Sequence, residues 1–258
     1  MSRPLPPSAP ARLVRPIQVQ VIDMPPDHHV AAHRHDWGQL AYASEGVLSV
    51  TTATGTWTVP PQRAVWVPPG IEHAVATRSG AAFRSLYVEA ELIDGLPAEC
   101  AVVAVPPLLR ELIVAAARLP RGYDRQSPGG RLAAVILDQL RGLEPVPLHL
   151  PMPADPRLAR IAAALAEDPG DNRPLGDWAA AVGASERTLA RAFTRETGLG
   201  FGAWRQRLRL MASLDRLMAG EPVTTVALGL GYATPSAFTA MFRKTLGAPP
   251  SVYLGRRD

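Results

Sequence analysis

A single cysteine, Cys100, stands in 258 residues, so no intrachain disulfide can form and there is no Cys-rich zinc module. That fits a reducing compartment, and the cytoplasm is the expected location. No run approaches the roughly 18 consecutive apolar residues that would span a membrane. The opening stretch, Met1 to Pro10, is Pro-rich and lacks the charged-then-apolar order of a signal segment. We expect a soluble chain with a loose tail over residues 1–13. Strong net charge is missing as well, the formal value being +4. Its distribution says more: residues 1–150 carry 13 Arg against 13 Asp/Glu, whereas 151–258 carry 14 Lys/Arg against 10 Asp/Glu. The whole excess lies in the C-terminal part, which fits a nucleic-acid partner, although solvated arginines alone would read the same. What is plentiful is apolar side chain, 47% of the total, enough to fill the cores of two domains and to exclude disorder throughout.

From Val14 to about Val105 the sequence reads as short strands: Ile17–Val21, Gly46–Thr51, Thr56–Val59, Ala64–Val67 and Leu86–Val88. Turns at Pro60-Pro61, Pro68-Pro69-Gly70 and Ser79-Gly80 separate them, a pattern of barrels and sandwiches. Trp37, Tyr42, Trp57, Trp66 and Tyr87 fall here, at alternating positions expected to be core, with one or two free to line a pocket. The period then lengthens. Leu108–Leu119 and Arg131–Leu143 have helical spacing and flank a loop at Ser127-Pro128-Gly129-Gly130. Such a hairpin has a broad apolar surface that must be covered, by the strands beside it, by a second copy of the chain, or by each on one face. A Pro-rich run, Glu144 to Pro153, reads as an extended linker, and beyond it the pattern is helical.

An internal repeat is the strongest signal. Ala179, Gly183, Leu189, Phe193 and Gly198 recur as Ala227, Gly231, Phe238, Phe242 and Gly247, with one additional residue in the second turn. Each copy reads as a helix, a tight turn and a second helix with its own start and stop. Ser185 caps the first of these second helices, and Thr234 followed by Pro235 starts the other. Small Ala at the crossing and Gly in the turn suit the steep crossing of a helix-turn-helix. With Leu189 and Phe193 inward, Arg187, Thr188, Ala190, Arg191 and Arg195 are left for the outer surface. Arg187 and Arg191 lie one turn apart, where a recognition helix reaches base edges, and a guanidinium fork donates two bonds at once to guanine O6 and N7. Arg195, farther along, is placed for phosphate. In the second copy Ser236, Thr239 and Ala240 take the outward positions, followed by Arg243 and Lys244, so this unit is expected to anchor on the backbone more than to read bases. Between the two, Trp204–Met218 is amphipathic, with Leu208, Met211, Leu214 and Leu217 inward.

These residues, Ser185 through Phe193 with Thr197-Gly198, and Gly229-Leu230-Gly231-Tyr232 through Phe238, Phe242 and Gly247–Tyr253, resemble the AraC/XylS transcription regulators over roughly residues 155–253. The resemblance implies two recognition helices in successive major grooves of an operator, control of a promoter, and dimeric binding. One departure stands out: Ala240 sits where several relatives carry a base-contacting Arg.

Five of the six histidines fall between His28 and His73. His33-x-His35-x3-Gln39-x6-Gly46 and Pro68-x-Gly70-x2-His73 resemble the two motifs of the cupin superfamily, a small β-barrel. In a strand His33 and His35 share a face, so both can point into a barrel, with Gln39 and His73 converging on them. Metal-binding cupins hold a divalent ion with three His and a Glu. Here Gln39 takes the Glu position and Thr77 replaces the Asn that often ends the second motif. The resemblance thus implies zinc, nickel, iron or copper at His33, His35, Gln39 and His73, with manganese and magnesium less favoured by a neutral donor set. A polar effector pocket without metal, or purely structural histidines, would use the same residues.

The expected architecture is α+β: a cupin-like sensor over 14–105, a helical hairpin over 106–143 that is a candidate dimer contact, a linker over 144–154, and an all-α DNA-binding domain over 155–258 with two helix-turn-helix units. Two functions compete. One is a regulator, not an enzyme, whose DNA binding answers to a small molecule or metal in the barrel. The other is a metal-dependent cupin dioxygenase or isomerase fused to a DNA-binding module. The repeat favours the first, because an enzyme alone has no use for two recognition helices, and no carboxylate replaces Gln39, although Asp36 and Glu72 are close in sequence.

Overall fold

The computed structural model describes residue 13 and residues 15–146 and 148–253, and the expected tail therefore lies almost wholly outside the described residues. Two compact units form, one from the residues up to Ala53 together with Trp57–His149, the other from Leu150 onward together with Thr54–Thr56.

In the first unit the strands are β1 (Ile17–Met24), β2 (His28–His33), β3 (Gly38–Gly46), β4 (Leu48–Thr52), β5 (Gly55–Val59), β6 (Arg63–Val67), β7 (His73–Thr77), β8 (Ala81–Val88), β9 (Ala101–Ala104) and β10 (Pro145–Val146). One sheet runs β1-β8-β3-β6-β9-β10, and a second contains β5-β4-β7-β2 in that order. Strand alternation explains where the core goes. Ile17, Leu40, Tyr42, Trp66, Leu86 and Val88 share one face of the first sheet and pack on two helices, α1 (Pro107–Ala116) and α2 (Pro128–Arg141), through Leu109, Ile113, Ile136, Leu137 and Leu140. Their sequence neighbours Gln39, Ser85 and Tyr87 must face the other way. Gln39 lies opposite Tyr87 in the ladder, and Ser85 opposite Ala41.

Two expectations need correction here. Gly129 and Gly130 are not loop but the first turn of α2, capped by Ser127, whose hydroxyl accepts from Gly130 N–H at 3.3 Å. A Cβ on Gly130 would lie 1.8 Å from the Arg125 carbonyl oxygen, so the glycine serves close packing rather than chain reversal. The Pro-rich run is not an unbroken linker either: β10 adds to the sheet edge beside β9, and β11 (His149–Pro151) follows. Proline is tolerated there because an edge strand has donors to spare.

The second unit is helical: α3 (Pro156–Glu167), α4 (Leu175–Ala181), α5 (Glu186–Thr197), α6 (Phe201–Met218), α7 (Val223–Gly229), α8 (Pro235–Leu246) and α9 (Pro250–Tyr253). The punctuation falls where the repeat puts it. Ser185 Oγ accepts from Thr188 N–H, and Thr234 Oγ1 from Ala237 N–H, each at 3.2 Å. Gly198 and Gly247 end α5 and α8 in the left-handed conformation, at φ 68° and 84°. Leu189, Phe193, Phe238 and Phe242 are fully buried. No helix among the described residues is long and apolar enough to cross a membrane.

Candidate metal centre and nucleic-acid interface

His33, His35 and His73 offer ring nitrogens that all lie within 4.8 Å of one another. They do not arrive as expected. His33 ends β2 and sits opposite His73 at the start of β7, past an irregularity in the register, whereas His35 lies in the turn that follows, outside any strand. That turn is held by a 2.8 Å bond from Gly70 N–H to the His35 carbonyl, which ties the two motifs together. Gln39 enters from β3 on the other sheet. Its Oε1 is 2.9 Å from His35 Nε2 and 2.9 Å from His73 Nε2, while its Nε2 donates to Ser85 Oγ at 2.7 Å.

Hydrogen-bond polarity makes this arrangement informative. The Nδ1 atoms of His33, His35 and His73 face the backbone carbonyls of Ala31, Trp37 and Ile71 at 2.9, 2.8 and 2.9 Å. A carbonyl only accepts, so each Nδ1 carries the proton, and in a neutral ring Nε2 is then a bare lone pair. Burial lowers the pKa of His73 to about 4 and also lowers that of His35, so both rings are neutral near pH 7. Two Nε2 lone pairs therefore confront the Gln39 carbonyl oxygen, three acceptors with no donor among them. A cation satisfies all three. Donors about 2.1 Å from a shared ion lie roughly 3.0–3.4 Å apart, and the 2.9 Å separations are close to that range. Inverting the amide is the metal-free alternative, its NH2 donating to both rings and its oxygen accepting from the Ser85 hydroxyl. Inversion does nothing for His33, whose buried Nε2 has no partner among the described residues. The residues thus fit a metal with His33, His35, His73 and Gln39 as donors.

Trp37 stacks on His35 at 5.3 Å, and Tyr87 meets His35 edge-on at 5.7 Å, so these two of the five aromatics wall the cluster. Burial pushes the Tyr87 phenol up to about 12 and keeps it neutral. Tyr42 and Trp66 instead face the helices. Asp36 and Glu72 are exposed, and Thr77 is buried with its hydroxyl unpartnered among the described residues. Ser85 escaped the sequence reading. Its signal was present, a small aliphatic hydroxyl in the inward series Ala81, Phe83, Ser85, Tyr87 of a largely apolar strand face. A separate groove of about 270 Å³ runs between β1 and the end of α1, lined by Val19, Gln20, Ala117, Arg121 and Tyr123 among others.

In the second unit α5 exposes Arg187, Thr188, Arg191 and Arg195, with Ala190 half-buried between them. Arg187 and Arg191 have no ion-pair partner among the described residues. Arg195 is held by Glu196 at 2.9 Å, and Glu196 also accepts from the Ala154 and Asp155 amides. The Thr188 hydroxyl is 2.8 Å from Ser185 Oγ, so it belongs to the cap as much as to the surface. On α8, Ser236, Ala240, Arg243 and Lys244 are exposed and Thr239 is half-buried. The two helix faces differ as the residues imply, one lined with guanidinium groups at its start, the other small and hydroxylic with charge only at its end.

Residues 18–144 match the family described as AraC-like ligand binding domain, and residues 178–256 match a helix-turn-helix domain. The HTH-type transcriptional regulator NimR of Escherichia coli (strain K12) is 37% identical over 224 residues, covering 87% of this chain and 82% of that protein. RipA of Corynebacterium glutamicum, another HTH-type transcriptional regulator, is 34% identical over 103 residues, 40% of this chain and 31% of its own. Among solved structures, ToxT from Vibrio cholerae covers 93% of this chain and 98% of its own at 11% identity and TM-score 0.40. The DNA-binding domain of AdpA in complex with a target DNA covers 40% and 92% at 28% identity and TM-score 0.37.

Proposed function

This chain belongs to the AraC family of transcription regulators, DNA-binding proteins with an AraC-like ligand binding domain and a helix-turn-helix domain, and from that premise we propose that a divalent metal or small molecule held by His33, His35, His73 and Gln39 controls its grip on an operator. The observation that carries the reading is the set of acceptors without a donor around Gln39 Oε1, together with the orphaned His33 Nε2. Three neutral imidazoles and an amide oxygen suit zinc, nickel, iron or copper better than magnesium or manganese. We read the site as one that binds rather than catalyses, because the nearest carboxylates in sequence, Asp36 and Glu72, are exposed. Such a metal would supply charge and fixed geometry, and this chain's residues orient it through the Nδ1 bonds to backbone and the Gln39–Ser85 bond.

Arg187 and Arg191 read base edges, with Thr188 and Ala190 beside them. Arg195, Arg243 and Lys244 meet phosphate, and Ser236 and Thr239 make short polar contacts. Outward-facing Leu108 and Val135, 54% and 42% exposed on α1 and α2, support a second copy of the chain against the hairpin's outer surface, in a cytoplasmic homodimer. Elemental analysis of the purified chain tests the centre: one equivalent of metal, lost on His35→Ala, is expected. No metal in either form, with operator affinity indifferent to added zinc or nickel, would refute it.

A further inference from the structure

Arg209 sits on α6 in the middle of a hydrophobic face, 7% exposed, where the repeat asks for nothing charged. Its guanidinium reaches back to the loop between α3 and α4: Nε donates to the Pro169 carbonyl at 2.8 Å, and one terminal nitrogen donates to the Asp171 carbonyl at 2.9 Å, to Asn172 Oδ1 at 3.0 Å and to the Gly170 carbonyl at 3.4 Å. Burial lowers its pKa from the usual arginine value, and the carbonyl oxygens replace the water it has lost. The loop so gathered passes the connection on. Asn172 Nδ2 donates to the Gly231 carbonyl at 3.1 Å, in the turn of the second helix-turn-helix. Contact there is tight: a Cβ on Gly170 would lie 2.6 Å from the Gly229 oxygen, and one on Gly231 would lie 2.5 Å from the Gly170 oxygen and 2.9 Å from an Arg209 nitrogen. Gly231 also has φ 75°, so no side chain is tolerated on either ground.

We infer that Arg209, acting through the 169–172 loop, is a positioning residue that sets the relative placement of α5 and α8, and so the spacing between the two base-pair boxes that one subunit accepts. Helix α6 alone is a single shared strut about which either helix-turn-helix can rotate. A bond network from the strut to the loop ahead of the first helix-turn-helix, and from that loop to the turn of the second helix-turn-helix, makes a triangle, which cannot rotate without breaking polar contacts. Arg209 touches no DNA. Its effect is on discrimination between spacings, not on contact with either box.

The test uses the full chain and a duplex selected by the wild-type protein from a randomised pool, with versions carrying one inserted base pair between the boxes or one scrambled box. An inserted base pair moves the second box by about 3.4 Å and turns it by roughly 35°. Wild type is expected to lose affinity about tenfold or more on insertion, comparable to losing one box contact. Arg209→Lys, which retains the charge but not the fork, and Asn172→Ala, an exposed residue whose loss spares the core, should each cut that penalty to about threefold or less. Both should bind the one-box duplex within about twofold of wild type. Should Arg209→Lys not fold, Asn172→Ala decides alone. An undiminished spacing penalty in the folded variants overturns the proposal, and so does an equal fall in one-box and two-box affinity, which is what lost stability alone would give.

Discussion

The two units assemble their functional residues in opposite ways. In the first, the four proposed donors come from the end of β2, a turn, β3 and β7, meet from two different sheets, and are largely hidden from solvent. In the second, the residues proposed to face DNA follow one another along two helices, and most of them are exposed. A convergent cluster shares its members' fate, since each donor is held by the others and by outer hydrogen bonds. A row on a helix is a set of nearly independent contacts. The difference predicts that substitutions in the cluster act together, and substitutions in the row act singly.

The largest expected effect is in the cluster. His73→Ala should abolish stoichiometric metal at micromolar concentrations, while the fully folded chain still melts cooperatively; a full equivalent retained in the variant would show that the donors are not a unit. Next comes the row. Arg191→Ala should cost about 1–3 kcal/mol of discrimination at one base position, with stability unchanged, and Arg187→Ala should cost a similar amount at a different base position. Competition binding across single-base operator variants reads this, and equal binding of mutant and parent to every variant would remove Arg191 from its role. Smaller is the effect of Ser85→Ala, which frees the Gln39 amide to invert and should weaken metal about tenfold without removing a donor. Isothermal titration of both chains measures it; unaltered affinity would mean that the amide needs no outer support. Least is Ser185→Ala, which removes the N-cap of α5 and should cost about 1 kcal/mol of stability in a urea melt.

Legibility followed the same division. The landmarks that make the repeat of the second unit legible are local: caps at Ser185 and Thr234, stops at Gly198 and Gly247, buried Leu189 and Phe193 at helical spacing. Local signals survive translation into a linear text. The histidine pair was legible as a motif, yet its geometry was misread, because His35 reaches the site through a turn pinned by Gly70 rather than by strand alternation. Ser85 and Arg209 were missed for one reason. Each works through partners more than 30 residues away in sequence, Gln39 for the serine and the 169–172 loop for the arginine, and no spacing rule reaches that far. The glycines of α2 were misread because a short-range turn signal and a long-range packing need, Gly130 against Arg125, look alike in sequence.

The proposed control requires that the cluster and the recognition helices be coupled. Operator affinity of the full chain, measured with metal bound and after chelation, and repeated with His35→Ala, tests it most directly. Coupling between sites typically shifts affinity by about 5- to 150-fold. We expect a shift of at least fivefold in the wild type and none in His35→Ala. Identical affinity of metal-loaded and stripped wild-type protein would show that the cluster and the recognition helices are not coupled.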